Sequence, residues 1–89
     1  MKVIYLNGKD IKSKSELHSE LAAQMCFPRY YGRNLDALYD LLSVESENCL
    51  FIIKNKKELE QNLGGYYYSL LHVLDDVSLE NDKIARITD

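Results

Sequence analysis

The sequence predicts an α/β domain: a three-stranded parallel β-sheet packed by helices, in the order β-α-α-β-α-α-β. Three observations carry this. Strand-like runs open and close the chain at Lys2–Leu6 and Lys83–Thr88, and a continuous apolar run, Cys49–Ile53, lies between them. Helical patterns fill both gaps, and strands separated by helices pair in parallel through right-handed crossovers. The chain has 89 residues, 46% of them hydrophobic. That makes one domain over residues 1–89, near the lower size limit for a core without disulfides or metals.

The first strand, Lys2–Leu6, is β-branched and aromatic and stops at Asn7-Gly8. After a polar connection over 9–14, a helix is expected from about Ser15 to Met25. Ser13 or Ser15 can cap it, and Ser13-Lys14-Ser15-Glu16 has the form of a capping box. Leu17, Leu21, Ala22 and Met25 share one helical face, and Pro28 ends the run. Tyr30-Tyr31-Gly32-Arg33 leads to Asn34, a good N-cap, and a second helix reaches Leu42. A polar loop, 43–48, precedes Cys49–Ile53. This run reads as a strand buried on both faces, under helices on either side. A short helix over Lys57–Asn62 breaks at Gly64-Gly65, a longer one runs from Tyr66 to Leu79, and Lys83–Thr88 is the last strand.

Composition removes several classes of function. No apolar run approaches the ~20 residues of a membrane span, and the N-terminal run is too short for a signal sequence. A cytoplasmic protein without membrane contact is expected. Cys26 and Cys49 read as reduced thiols. His18 and His72 have no ligand-like spacing, so neither a metal nor a cofactor is expected. Net charge is −3, unevenly spread. Residues 34–53 hold Asp36, Asp40, Glu45 and Glu47, and residues 58–82 hold six further acids, with no Lys or Arg in either segment. If these segments share a face, that face attracts cations and repels phosphate.

The second helix focuses the question. At ~100° per residue, Asp36, Tyr39, Asp40 and Ser43 fall on one side of it. Leu35, Leu38, Leu41 and Leu42 fall on the other, toward the core. The outer face is a poor choice for stability, since like charges at i,i+4 cost a few tenths of a kcal/mol. Three readings fit. The aspartates could be a catalytic acid/base pair, although they sit on a convex helix without a cleft. Tyr30, Tyr31 and Tyr66-Tyr67-Tyr68 could stack on nucleic acid, although the acids oppose it. Or the surface could imitate nucleic acid, with carboxylates in place of phosphates and aromatics in place of bases.

Tyr30-Tyr31-Gly32-x-Asn34-Leu35-Asp36-Ala37-Leu38-Tyr39-Asp40-x-Leu42 closely resembles the central motif of the barstar family, intracellular inhibitors of the secreted ribonuclease barnase. Asn7-Gly8, Ser15-x-x-x-His18 and Pro28 extend the resemblance along the chain. It implies a barstar-like domain that plugs a ribonuclease active site and catalyses nothing. By position, Asp40 would be the main anchor, standing where a substrate phosphate stands, and Asp36 would pair with a further cation. Tyr30 would lie against the catalytic histidine, and Gly32 and Asn34 would make backbone-level contacts. Tyr39 replaces a tryptophan, and Asp76 replaces a glutamate at the rim. With Ser43 these residues are the expected partner-binding set. The partner would be a secreted barnase-like microbial ribonuclease, with no direct nucleic-acid contact and a monomeric free chain. Three departures bear on the partner. Arg33 stands where the family has an acid, Ser43-Val44-Glu45 lacks a tryptophan, and neither cysteine matches a family position. They keep open the alternative of a barstar-fold module whose target is not a ribonuclease.

Overall fold

The structure, a computed structural model, describes residues 1–88. Strands β1 (Lys2–Asn7), β2 (Cys49–Lys54) and β3 (Ile84–Thr88) form one parallel sheet in the order β1-β2-β3. Helices α1 (Lys14–Met25) and α2 (Leu35–Ser43) connect β1 to β2. Helices α3 (Lys56–Leu63) and α4 (Gly65–Glu80) connect β2 to β3. Element order is as the sequence predicts, with ends differing by at most one residue.

The caps explain the boundaries. Ser13 Oγ accepts the N–H of Glu16 at 3.2 Å, and Glu16 Oε1 reaches back to the N–H of Lys12 at 2.6 Å. The reciprocal box therefore closes one residue earlier than its usual form. α1 ends on Cys26 in the left-handed region (φ 56°), and the N–H groups of Cys26 and Phe27 both turn back to Ala22 O, ahead of Pro28. Asn34 Oδ1 caps α2 through the N–H of Ala37 at 2.8 Å.

The core lies on one side of the sheet. Ile4, Leu6, Phe51, Ile53 and Ile84 meet Leu17, Leu21, Leu38, Leu42, Leu70 and Leu74, all buried. The opposite face differs from expectation. Leu50 and Ile52 are only half-buried, flanked in register by exposed Val3 and Ala85 and by exposed Tyr5 and Ile87. β2 is thus covered by helices on one face, and its apolar second face is shielded mainly by its neighbouring strands. Apolar content alone could not separate these cases. At the side of β1, the Gln24 amide makes two hydrogen bonds with the backbone of Tyr5, each 2.8 Å, and holds α1 against the strand. Among the described residues no helix is long and apolar enough to cross a membrane.

The turn after β1 admits no side chain at Gly8. A Cβ there would lie 2.3 Å from Asn55 O and 2.4 Å from Leu59 N, both backbone atoms. The Asn62 amide donates to Gly8 O and Ile11 O at 3.1 and 2.9 Å, so this turn is bound to α3. Gly8→Ala should therefore destabilise the domain by about 2–3 kcal/mol or more, because backbone has to move. Leu38→Ala should cost about 2–5 kcal/mol by opening a cavity at a fully buried site. Urea denaturation of both variants measures these losses.

Candidate partner-binding site

α2 has the two-sided character that its sequence predicts, with one refinement. Leu38 and Leu42 are fully buried, whereas Leu35 and Leu41 are half-buried. Asp36 and Asp40 are exposed, one turn apart, while Tyr39 is half-buried and not the exposed aromatic expected. Ser43 is half-buried, and its hydroxyl donates to Asp40 O at 2.8 Å, closing the last turn. Asn34 spends its amide within the chain. Besides capping α2, its Nδ2 donates to Gly32 O at 3.2 Å.

The loop before α2 folds over the helix and leaves a recess of about 270 Å³ lined by Tyr30, Tyr31, Gly32, Ala37, Asp40 and Leu41. Tyr30 stands at its edge and is 81% exposed. Gly32 lets the loop lie close to the helix: a Cβ there would press to 3.3 Å against Ala37 Cβ and Asn34 Nδ2, and these side chains would have to give by a few tenths of an ångström. The result is an apolar floor with one carboxylate beside it, open to solvent. An aromatic or amphipathic cation suits such a surface: apolar area is buried while the charge meets Asp40.

α4 packs beside α2, away from the recess. Asn81, capping α4, donates to Leu42 O at 2.8 Å and Glu45 O at 3.0 Å, which ties the ends of α2 and α4 together. The Glu80 carboxylate lies beside the Tyr39 hydroxyl. Its hold on the phenol proton, then desolvation and the charges of Glu80, Asp76 and Asp40, push the Tyr39 pKa up to about 12. Tyr39, Asp40, Asp76 and Glu80 therefore share one surface. Glu80 was missed in the sequence. Its signal was there, one turn beyond Asp76, in the spacing that singled out Asp36 and Asp40. Among the described residues none of Asp36, Asp40, Asp76 and Glu80 forms an ion pair.

The remaining acids divide differently from the segment-wide face that the charge pattern suggested. Glu45 and Glu47 pair with Lys2 at 3.8 and 3.6 Å. Glu60 accepts the Tyr68 hydroxyl. Asp75 takes the Arg86 guanidinium on both oxygens at 3.0 and 2.9 Å, and this bond holds its carboxyl below the usual range. Two adjacent aspartates thus have different employment: Asp75 joins α4 to β3, and Asp76 stays with the surface beside Tyr39.

The loop is anchored from beneath. His18, buried in α1, meets the Tyr31 hydroxyl at Nδ1 (2.6 Å) and the Tyr66 hydroxyl at Nε2 (2.7 Å). A neutral ring donates at one nitrogen and accepts at the other, so both phenols are satisfied. Burial first, then the nearby Arg33 charge, lower the His18 pKa below 6.5. Burial raises the pKa of Tyr31 and of Tyr66. Arg33 lies in the left-handed region (φ 55°), and its Nη2 reaches Ser15 O at 2.7 Å, Ser19 Oγ at 2.9 Å and Ser15 Oγ at 3.2 Å. The tyrosines proposed as stacking platforms are largely committed. Tyr67 is buried, Tyr66 holds His18, and Tyr68 holds Glu60.

Fold and site together define a small α/β domain that presents an acidic, aromatic surface around a shallow recess. The family model described as Barstar (barnase inhibitor) matches residues 1–87. A protein of Bacillus subtilis (strain 168), named "Putative ribonuclease inhibitor YrdF", is 36% identical over 81 residues, covering 90% of this chain and 89% of that protein. The chain belongs to the barstar family.

The His18 shift has a defined sign. A lowered folded-state pKa means that the fold favours the neutral ring. The unfolded chain takes up its proton first as pH falls through about 6.5, so stability declines below that pH and levels off beneath the folded pKa. Chemical denaturation from about pH 7.5 to about 5.5 should show this decline. His18→Gln should be less stable at neutral pH and should lose this component of the pH slope.

Proposed function

We propose that this chain is a non-enzymatic protein inhibitor of a secreted, barnase-like microbial ribonuclease, acting in the cytoplasm. Its acids take the place of RNA phosphates and its aromatic surface excludes the substrate. One observation carries the reading: the recess beside Asp40, with Tyr30 at its edge and Asp36, Asp76 and Glu80 exposed nearby, on a chain of the barstar family. A ribonuclease active site must bind phosphate and is therefore cationic, and a preformed acidic surface complements it. Asp40 is the central anchor, and Asp36 and Asp76 extend the charge on either side. Tyr30 covers the partner's side chain in the recess, and Tyr39 supplies apolar area between the helices. Gly32, Asn34 and Ser43 give the backbone its shape. The name of the Bacillus subtilis relative supports the same target class.

Arg33, with the missing tryptophan after α2, speaks for a different target. Its guanidinium is hydrogen-bonded to α1, which weakens that objection. The acid/base alternative gains no support, because Asp36 and Asp40 lie exposed on the outer face of α2.

The test is inhibition of RNA cleavage, with barnase as the first probe. The parent chain should block cleavage stoichiometrically. Asp40→Ala should weaken binding by about 2 kcal/mol or more, roughly thirtyfold in Kd, and Asp36→Ala by less. Both should leave the melting temperature nearly unchanged, since neither carboxylate packs in the core. The association rate should fall as salt is raised. An Asp40→Ala chain that inhibits as tightly as the parent would sink the mimicry model.

A further inference from the structure

We infer that Arg33 is a positioning residue: it fastens the 30–34 loop to α1 and so keeps the partner-binding loop preformed in the free protein. The inference rests on the reading of this surface as the partner site, and it gives a role to the one basic residue inside the motif. The first observation is the contact itself. One guanidinium nitrogen lies within 3.2 Å of three acceptors on two consecutive turns of α1, all of them neutral oxygens. Among the described residues no carboxylate forms an ion pair with Arg33. What holds the side chain is therefore hydrogen-bond geometry and not a charge partner.

The second observation is the backbone. Arg33 adopts φ 55°, a conformation that costs an ordinary side chain about 1 kcal/mol or more. The turn directs the side chain back over α1 while Asn34, the next residue, starts α2. The third is the loop's anchorage. Tyr31 is held from below by His18 of α1. Gly32 rests against Ala37 and Asn34. Arg33 adds an outer tie to α1, one residue before the cap of the helix that carries Asp36 and Asp40. With both ties in place, Tyr30 is presented at the recess by a loop whose ordering has already been met by folding. Preorganisation of this kind lowers the entropy lost on association and acts mainly on the dissociation rate.

The test uses the full chain and two readouts. The first is amide hydrogen exchange of the free protein. Arg33→Asn keeps a residue that tolerates the left-handed conformation and removes the reach. It should speed exchange of the hydrogen-bonded amides that this loop holds, Tyr31 before Arg33 and Ala37 and Leu38 in the capped first turn of α2, by about tenfold and leave β2 unchanged. Ser15→Ala combined with Ser19→Ala, which leaves the loop sequence intact, should shift the same amides in the same direction. Arg33→Lys should restore most of the parent protection, because a single ammonium nitrogen carries three donors for the same three oxygens. The second readout is barnase binding. Arg33→Asn should raise the dissociation rate about tenfold with the salt dependence of association unchanged. Its effect should be less than additive with the serine pair.

Loop exchange that stays at parental rates in Arg33→Asn overturns the inference. So does tighter binding through faster association, since Arg33 would then act as a charge facing the partner. A parent chain that fails to bind barnase counts against the barnase-like reading, and the exchange experiment then decides the role of Arg33 by itself.

Discussion

The His18 imidazole is the contact on which the loop before α2, and the recess it shapes, depend. It comes from α1, and its two nitrogens hold Tyr31 of the loop before α2 and Tyr66 at the start of α4. Three chain segments that diverge in sequence therefore meet at one buried ring. In a domain of this size such a contact cannot be replaced by a deeper core. Leaving either nitrogen without a partner would cost about 1–3 kcal/mol, and among the described residues no buried side-chain nitrogen or oxygen lacks a partner. The loop that shapes the recess is thus supported by the same interaction that joins α1 to α4.

Around that support, the acidic residues separate by their work. Asp75, Glu45, Glu47 and Glu60 are paired internally and contribute to the fold. Asp36, Asp40, Asp76 and Glu80 form no ion pair among the described residues and gather on α2 and α4. The mutual repulsion of the second group is a standing cost of a few tenths of a kcal/mol per close pair. Leu38, Leu42, Leu70 and Leu74, each fully buried, offset it many times over. The surface can therefore be tuned for a partner while the leucine side holds the helices in place.

The sequence was most informative where a local rule has one outcome. Ser13, Asn34 and Gly64-Gly65 fix helix ends by hydrogen bonds or backbone freedom that neighbours cannot override, and the element boundaries followed. Leucine periodicity separated Leu38 and Leu42 from Asp36 and Asp40 for the same reason. It was silent where the answer depended on residues distant in the chain. Cys49–Ile53 looks the same whether its second face meets a helix or only flanking strands. Tyr39 could not be placed against α4 until Asn81 had joined the ends of α2 and α4. Glu80 became visible as a member of the surface only through Tyr39, and Asp75 left it only through Arg86, which follows in β3. Arg33 misled most. Its charge was legible, but its left-handed backbone and its contacts with Ser15 and Ser19 were not.

The Gln24 amide has a consequence for the sheet as a whole. A parallel sheet of three strands has two open sides, and each is a template onto which another extended chain can dock. At β1 the side chain of Gln24 occupies both the N–H and the C=O of Tyr5, mimicking the backbone of an absent fourth strand. An incoming chain would have to displace a helix-borne amide at the middle of the strand before it could zip along it. One glutamine thus terminates lateral growth of the sheet on that side, and the apolar face carried by Val3, Leu50 and Ile87 is less readily recruited into a larger β-structure.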